Sequence, residues 1–190
     1  MCWSAEASLS TYLASMAAAA ITYGRGDIWW LLFTFSQMQL AEFFMWKDIP
    51  HNQFGSMIGS LSLALQPFAS IYMIKDISIR NKLWILYGVF TAIATFMGHP
   101  IFKAVKGGNG HLKWLFVPTT YSLREMINLL VWLGFLMAPL IISKRYTALV
   151  FLMLTLIVSL YFYLKYETWG TMWCWVSILG WLLLLLRISN

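Results

Sequence analysis

The sequence predicts an all-α membrane protein, a compact bundle of about seven transmembrane helices in a single domain. Two observations carry that expectation. Of its 190 residues, 61% are hydrophobic and only 11% charged, and the apolar residues fall in runs of about twenty, the length a helix needs to cross a bilayer. A soluble chain carries roughly a quarter charged residues, and a chain this short leaves a large share of its surface uncovered. The apolar excess has no core to hide in, so lipid is expected to solvate it.

The runs lie at about 4–23, 28–46, 54–74, 82–98, 120–142, 146–165 and 170–188. Polar punctuation separates them: Gly24-Arg25-Gly26-Asp27, Lys47-Asp48-Ile49-Pro50, Lys75-Asp76, Lys144-Arg145 and Lys165-Tyr166-Glu167. Such short gaps force neighbouring spans to run antiparallel. The start, Met1-Cys2-Trp3-Ser4-Ala5-Glu6, lacks the positive stretch of a secretory signal, so the first run reads as a retained span. His99-Pro100 stops the fourth run, and a longer gap follows. In it, 101–105 and 111–116 flank Lys106-Gly107-Gly108-Asn109-Gly110. This pattern fits either a short β-hairpin with a Gly-rich turn or an irregular interfacial loop.

The net charge of +6 sits in the gaps, where it reads as a topology signal and a contact for anionic lipid. No basic stripe interleaves with exposed aromatics, so nucleic-acid binding is not expected. Arg25, Lys75, Arg80, Lys82, Lys144, Arg145 and Arg187 share one face by span parity, which favours an N-terminus outside and a C-terminus in the cytoplasm. Lys103, Lys106 and Lys113 in the long gap weaken that contrast. The third span opens on Gly55-Ser56-Met57-Ile58-Gly59, a small-residue spacing that permits close helix approach. Of 11 tryptophans, Trp29, Trp30, Trp46, Trp169, Trp173 and Trp175 lie near span ends and read as interfacial anchors.

Chemistry in a bilayer is sought among polar residues inside spans, because burying them is costly. Glu6 opens span 1. Gln39 and Glu42 are three apart in span 2 and share a helix face. Gln66 precedes Pro67 in span 3, His99 ends span 4, and Arg124, Glu125 and Asn128 open span 5. Alternating span direction brings Glu6, Glu42, His99, Arg124, Glu125 and Asn128 to one membrane face, the one holding the long gap. Each has a plainer reading. Glu6 can sit on the helix dipole in water, Arg124 and Glu125 can be interfacial, His99 can be a loop residue, and Gln66-Pro67 can mark a kink. Glu42, about 6 Å deeper than Trp46 at 1.5 Å per residue, is the hardest to place outside a polar interior. A cluster facing a shared cavity would favour a cation or proton, whereas a Glu42–Arg124 pair would be structural.

Cys2 and Cys174 fall on that same face. A disulfide between them would need an oxidising compartment, and free thiols are the default. A metal site from Cys2, Cys174 and His99 matches no ligand spacing, so neither a metal nor another cofactor is expected. Retinal needs a lysine in the seventh helix, and 170–188 contains none. No K⁺-filter, His-Glu-x-x-His, Cys-x-x-Cys or Gly-x-Ser-x-Gly signature is present.

The opening Met1-Cys2-Trp3-Ser4-Ala5-Glu6, the segment Gln37-Met38-Gln39-Leu40-Ala41-Glu42-Phe43-Phe44-Met45-Trp46 and Leu65-Gln66-Pro67 resemble a group of uncharacterised small polytopic membrane proteins from algae, other protists and large DNA viruses. The resemblance covers roughly the first 70 residues and the His99-Pro100 region. It implies a polytopic membrane fold and no particular activity. The leading functional expectation is a transporter or channel-like protein whose cavity is lined by Glu6, Gln39, Glu42, Gln66, His99, Arg124, Glu125 and Asn128 and handles a proton, a small cation or a small polar solute. The alternatives are a lipid-modifying membrane enzyme with His99 and Glu42 as acid and base, and a receptor or structural component. Oligomeric state is left open.

Overall fold

Helix ends fall in the polar gaps. The structure, a computed structural model, describes residues 4–24, 27–47, 49, 52–97, 102–115 and 123–188. Among them are seven α-helices: α1 (Ala5–Ile21), α2 (Trp29–Lys47), α3 (Gln53–Tyr72), α4 (Ile77–Met97), α5 (Leu123–Ile142), α6 (Tyr146–Tyr163) and α7 (Trp169–Ile188). Strands β1 (Ala104–Lys106) and β2 (Leu112–Trp114) lie between α4 and α5. Ser4 caps α1 by accepting the Ala7 N–H at 3.1 Å. Asp76 caps α4 by accepting the N–H groups of Ser78 and Ile79 at 2.8 and 3.1 Å. That cap starts α4 at Ile77 rather than near residue 82. Its polar first turns lay Arg80 over the rings of Tyr72 and Trp84, at 5.6 and 5.3 Å.

The long gap is a hairpin. Its antiparallel strands pair Ala104 with Trp114 and Lys106 with Leu112, and Gly110 supplies the positive φ of +83° that closes the turn. Both strands are fastened to the bundle. Asn52, 2% exposed in the α2–α3 turn, donates to the Ala104 carbonyl at 2.7 Å and accepts its N–H at 2.9 Å. On the other side, Thr171 donates to the Leu112 carbonyl at 3.1 Å, Asn109 donates to Thr168 at 2.9 Å, and Lys113 pairs with Glu167. The Trp114 ring lies 3.2 Å from where a Cβ on Gly170 would stand. The ends of α2, α3 and α7 are thereby joined to the hairpin at one end of the bundle. At the other end, Arg145 bridges to Asp27 at 3.1 Å.

Helix α2 is the central element, packed against α1, α3 and α7. Its buried residues include Leu31, Leu32, Phe35, Met38, Gln39, Ala41, Glu42 and Met45, and only Trp30, Phe44 and Lys47 among its described side chains are exposed. The close approach expected at Gly55 is to this helix: a Cβ there would meet Met45 N at 2.9 Å and Ala41 O at 3.1 Å. Helix α4, by contrast, buries only Tyr87 among its described side chains.

Proline shapes the contacts between α3 and α5. Pro67 has no N–H to give the carbonyl four residues back, and Trp132 Nε1 of α5 donates to that carbonyl, Leu63 O, at 3.1 Å. The neighbouring Ala64 carbonyl accepts from the Tyr87 hydroxyl of α4 at 2.9 Å. Near Pro139 in α5, Ser70 Oγ donates to Leu136 O at 2.6 Å. The Trp132 bond thus satisfies the carbonyl that Pro67 leaves free, and all three bonds tie helices together.

Among the described residues, three helices are long and apolar enough to cross a membrane by length and composition: α3, α5, and α6 with the 3-10 turn that extends it to Tyr166. Helices α5 and α6 keep most of these apolar side chains outside the fold, among them Leu130, Val150, Leu154 and Ile157.

Candidate functional site: a buried polar group and an adjoining cavity

Two features meet at α7. The first is a polar group inside the closed half of the bundle. Gln39 and Glu42 on α2 and Gln66 on α3 are each 0% exposed. Helical spacing puts Gln39 and Glu42 one above the other on the same face. Cys174 of α7, also 0% exposed, has its thiol beside the Gln66 amide and within electrostatic reach of Glu42. Neither the oxygen nor the nitrogen of the Gln39 amide makes a hydrogen bond among the described residues. An amide buried without partners costs about 1–3 kcal/mol, so this is a place where the bundle forgoes stability.

The second feature is a cavity of about 240 Å³, open on one side. Its walls are Ser60, Leu63 and Ala64 from α3; Tyr87, Phe90, Thr91, Ala94 and Thr95 from α4; Asn128, Leu129 and Trp132 from α5; Trp169, Gly170, Trp173 and Cys174 from α7; and Trp114 from the hairpin. No charged side chain is among these lining residues. Cys174 belongs to both features and forms the partition between them.

The residues singled out in the sequence are distributed accordingly. Gln39, Glu42 and Gln66 are buried in the closed half, and Asn128 lines the cavity. Glu6 is exposed in the first turn of α1, within electrostatic range of Lys47. It sits at the expected end of the molecule without joining the buried group, as its reading as a helix-terminal acid anticipated. Arg124 is exposed and Glu125 half-buried at the start of α5, and neither lines the cavity. His99 and Cys2 lie outside the described residues, and with them the disulfide and the acid–base role weighed for His99. Among the described residues, no group of three or more His, Cys, Asp or Glu side chains could hold a metal ion.

Sequence reasoning missed the aromatic wall. Trp169 and Trp173, read as interfacial anchors, are 8% and 2% exposed. Trp173 donates through Nε1 to Thr155 of α6 at 3.1 Å, a bond that faces its ring toward the cavity side. Asn52 was missed as well. Its only sequence signal is an amide in a gap too short for any other anchor to the long loop. No known protein family, curated protein or solved structure matches the chain.

Proposed function

We propose that this chain is an integral membrane protein whose seven helices all cross the bilayer, and that it moves a proton, or a cation small enough to travel without its water, through the group formed by Gln39, Glu42 and Gln66. The full burial of Glu42 carries this reading. A carboxyl group at 0% exposure is costly in an apolar bundle and has an evident use where its protonation can change. The packing around it favours a proton over a larger solute, because the cavity wall stops at Cys174 and does not include Gln39, Glu42 or Gln66. The unbonded amide of Gln39 provides both a donor and an acceptor one helical turn from the carboxyl, so it can hydrogen-bond that group in either protonation state.

The outward-facing apolar side chains of α5 and α6 support membrane residence. An outside N-terminus and a cytoplasmic C-terminus are supported by the short gaps, where span parity sets Arg25, Lys75, Arg80, Lys82, Lys144 and Arg145 against Lys47 and Lys165, a contrast that Lys103, Lys106 and Lys113 of the hairpin reduce. Lipid is the surrounding partner.

Reconstitution of the full chain into liposomes holding a pH-sensitive dye tests the reading. An imposed potential should drive proton flux in the wild type, and Glu42→Gln should abolish it while the variant keeps its helical circular dichroism. Equal flux through the wild type and Glu42→Gln would overturn the proposal.

A further inference from the structure

The cavity is a binding site distinct from the polar group, and its shape and polarity define an occupant. We infer that it holds the hydrocarbon chain of a single-tailed lipid, such as a free fatty acid, with the polar end at the hairpin and the tail pointing inward.

Three observations carry this. The cavity is a slot: from Thr95 to Tyr87 along α4 is about 12 Å at 1.5 Å per residue. Spread over that length, a volume of about 240 Å³ leaves a mean cross-section of about 20 Å², suited to one alkyl chain. Its lining is mostly apolar, with the polar side chains of Ser60, Thr91, Thr95 and Asn128 among it. The Tyr87 hydroxyl and Trp132 Nε1 donate to the Ala64 and Leu63 carbonyls and the Thr91 hydroxyl to the Tyr87 and Gly88 carbonyls, so these donors are already engaged within the wall.

Finally, the slot is closed below and open beside. Phe135 of α5 meets Tyr87 and Phe90 with ring centroids 5.0 and 6.0 Å apart and seals the inner end. The cavity is open on one side, α4 and α5 touch each other far less than α3 and α5 do, and Ile93 and Phe96 of α4 are exposed and apolar. In a bilayer such an opening admits a chain directly from the hydrocarbon layer, and the absence of charge among the lining residues excludes little of it. The occupant would lie as lipids do, polar end at the interface and tail toward the midplane.

The inference rests on the membrane reading above and is independent of Glu42. Its test uses the full chain in nanodiscs of two-tailed phospholipid with a ten-carbon conjugated polyene fatty acid, which takes energy from nearby tryptophan and matches the length of the slot. Wild-type protein should show saturable transfer that decanoic acid displaces. Ala64→Trp and Ser60→Trp, which fill the slot from α3, should each weaken binding at least tenfold. Ile157→Trp, which adds the same ring to the exposed face of α6, should bind as wild type, as should Glu42→Gln. Absence of saturable transfer in the wild type would overturn the proposal. So would wild-type affinity in whichever of Ala64→Trp and Ser60→Trp retains its helical circular dichroism. Binding without Glu42-dependent proton flux would leave the slot and remove the proton reading, and flux without binding would do the reverse.

Discussion

Helices α2 and α4 are alike on paper, 19 and 21 residues long and apolar through most of their length, yet they belong to two different kinds of structure. Around α2 the molecule is closed: helices approach to backbone contact at Gly55, and even a glutamate is sealed from solvent. Around α4 it is open. One tyrosine is buried, the neighbouring helices stand apart, and a slot remains between them. The closed half can hold a charge or a proton in a fixed, dry setting, where electrostatic interactions are strong. The open half cannot, but it can admit an apolar chain without disturbing the core. One difference is the crossing at Gly55, which lets α3 approach the α2 backbone; another is composition, since α2 carries seven aromatic residues and no Ile or Val, and α4 four aromatic residues and five Ile or Val.

The comparison can be broken most severely from inside the closed half. Gly55→Leu would drive its side chain into the α2 backbone, where Met45 N and Ala41 O cannot yield, and should cost about 3 kcal/mol, the upper end for overpacking; thermal unfolding in micelles measures it. Asn52→Ala leaves the N–H and C=O of Ala104 without their partner and should cost about 2 kcal/mol. Its distinguishing sign is faster hydrogen exchange at 102–115, with the exchange of α2 unchanged. Trp132→Phe keeps a six-membered ring but loses the pyrrole part of the indole and with it the donor to the Leu63 carbonyl, for about 1 kcal/mol or somewhat more, seen as a drop in the unfolding temperature. On the open side, Val89→Ala removes carbon from a residue 52% exposed and should stay within about 0.5 kcal/mol. An effect on unfolding as large as that of Gly55→Leu would mean that α4 is as tightly held as α2.

Much of the architecture was readable because it follows from spacing alone. Apolar run lengths and polar gaps located the helices, and parity placed the end of α2 and the starts of α3 and α7 beside the hairpin, where Asn52, Thr171 and Gly170 join it. The hairpin itself stood undecided against a loop, since strands of three residues carry too little pattern. What distinguished the two halves was not readable. Glu42 and Gln39 stood out because their burial is expensive, but the apolar residues around them have no polar face to reveal which helices enclose them. The slot did not stand out, because Trp132, Trp169 and Trp173 are as well suited to an interface as to a cavity wall; for Trp132 and Trp173 the hydrogen-bond partners, 69 and 18 residues away, decide between them. The partner of the Pro67 kink was equally hidden: proline announces a freed carbonyl but not which helix satisfies it.

The central claim, that Glu42 is the proton-exchanging group of the closed half, is tested most directly by counting protons. A pH jump applied to the purified chain in micelles, read with an indicator dye, should show a proton taken up per chain by the wild type that Glu42→Gln does not take up, with both proteins equally folded. Identical uptake by the two proteins across the pH range in which they remain folded would contradict the account.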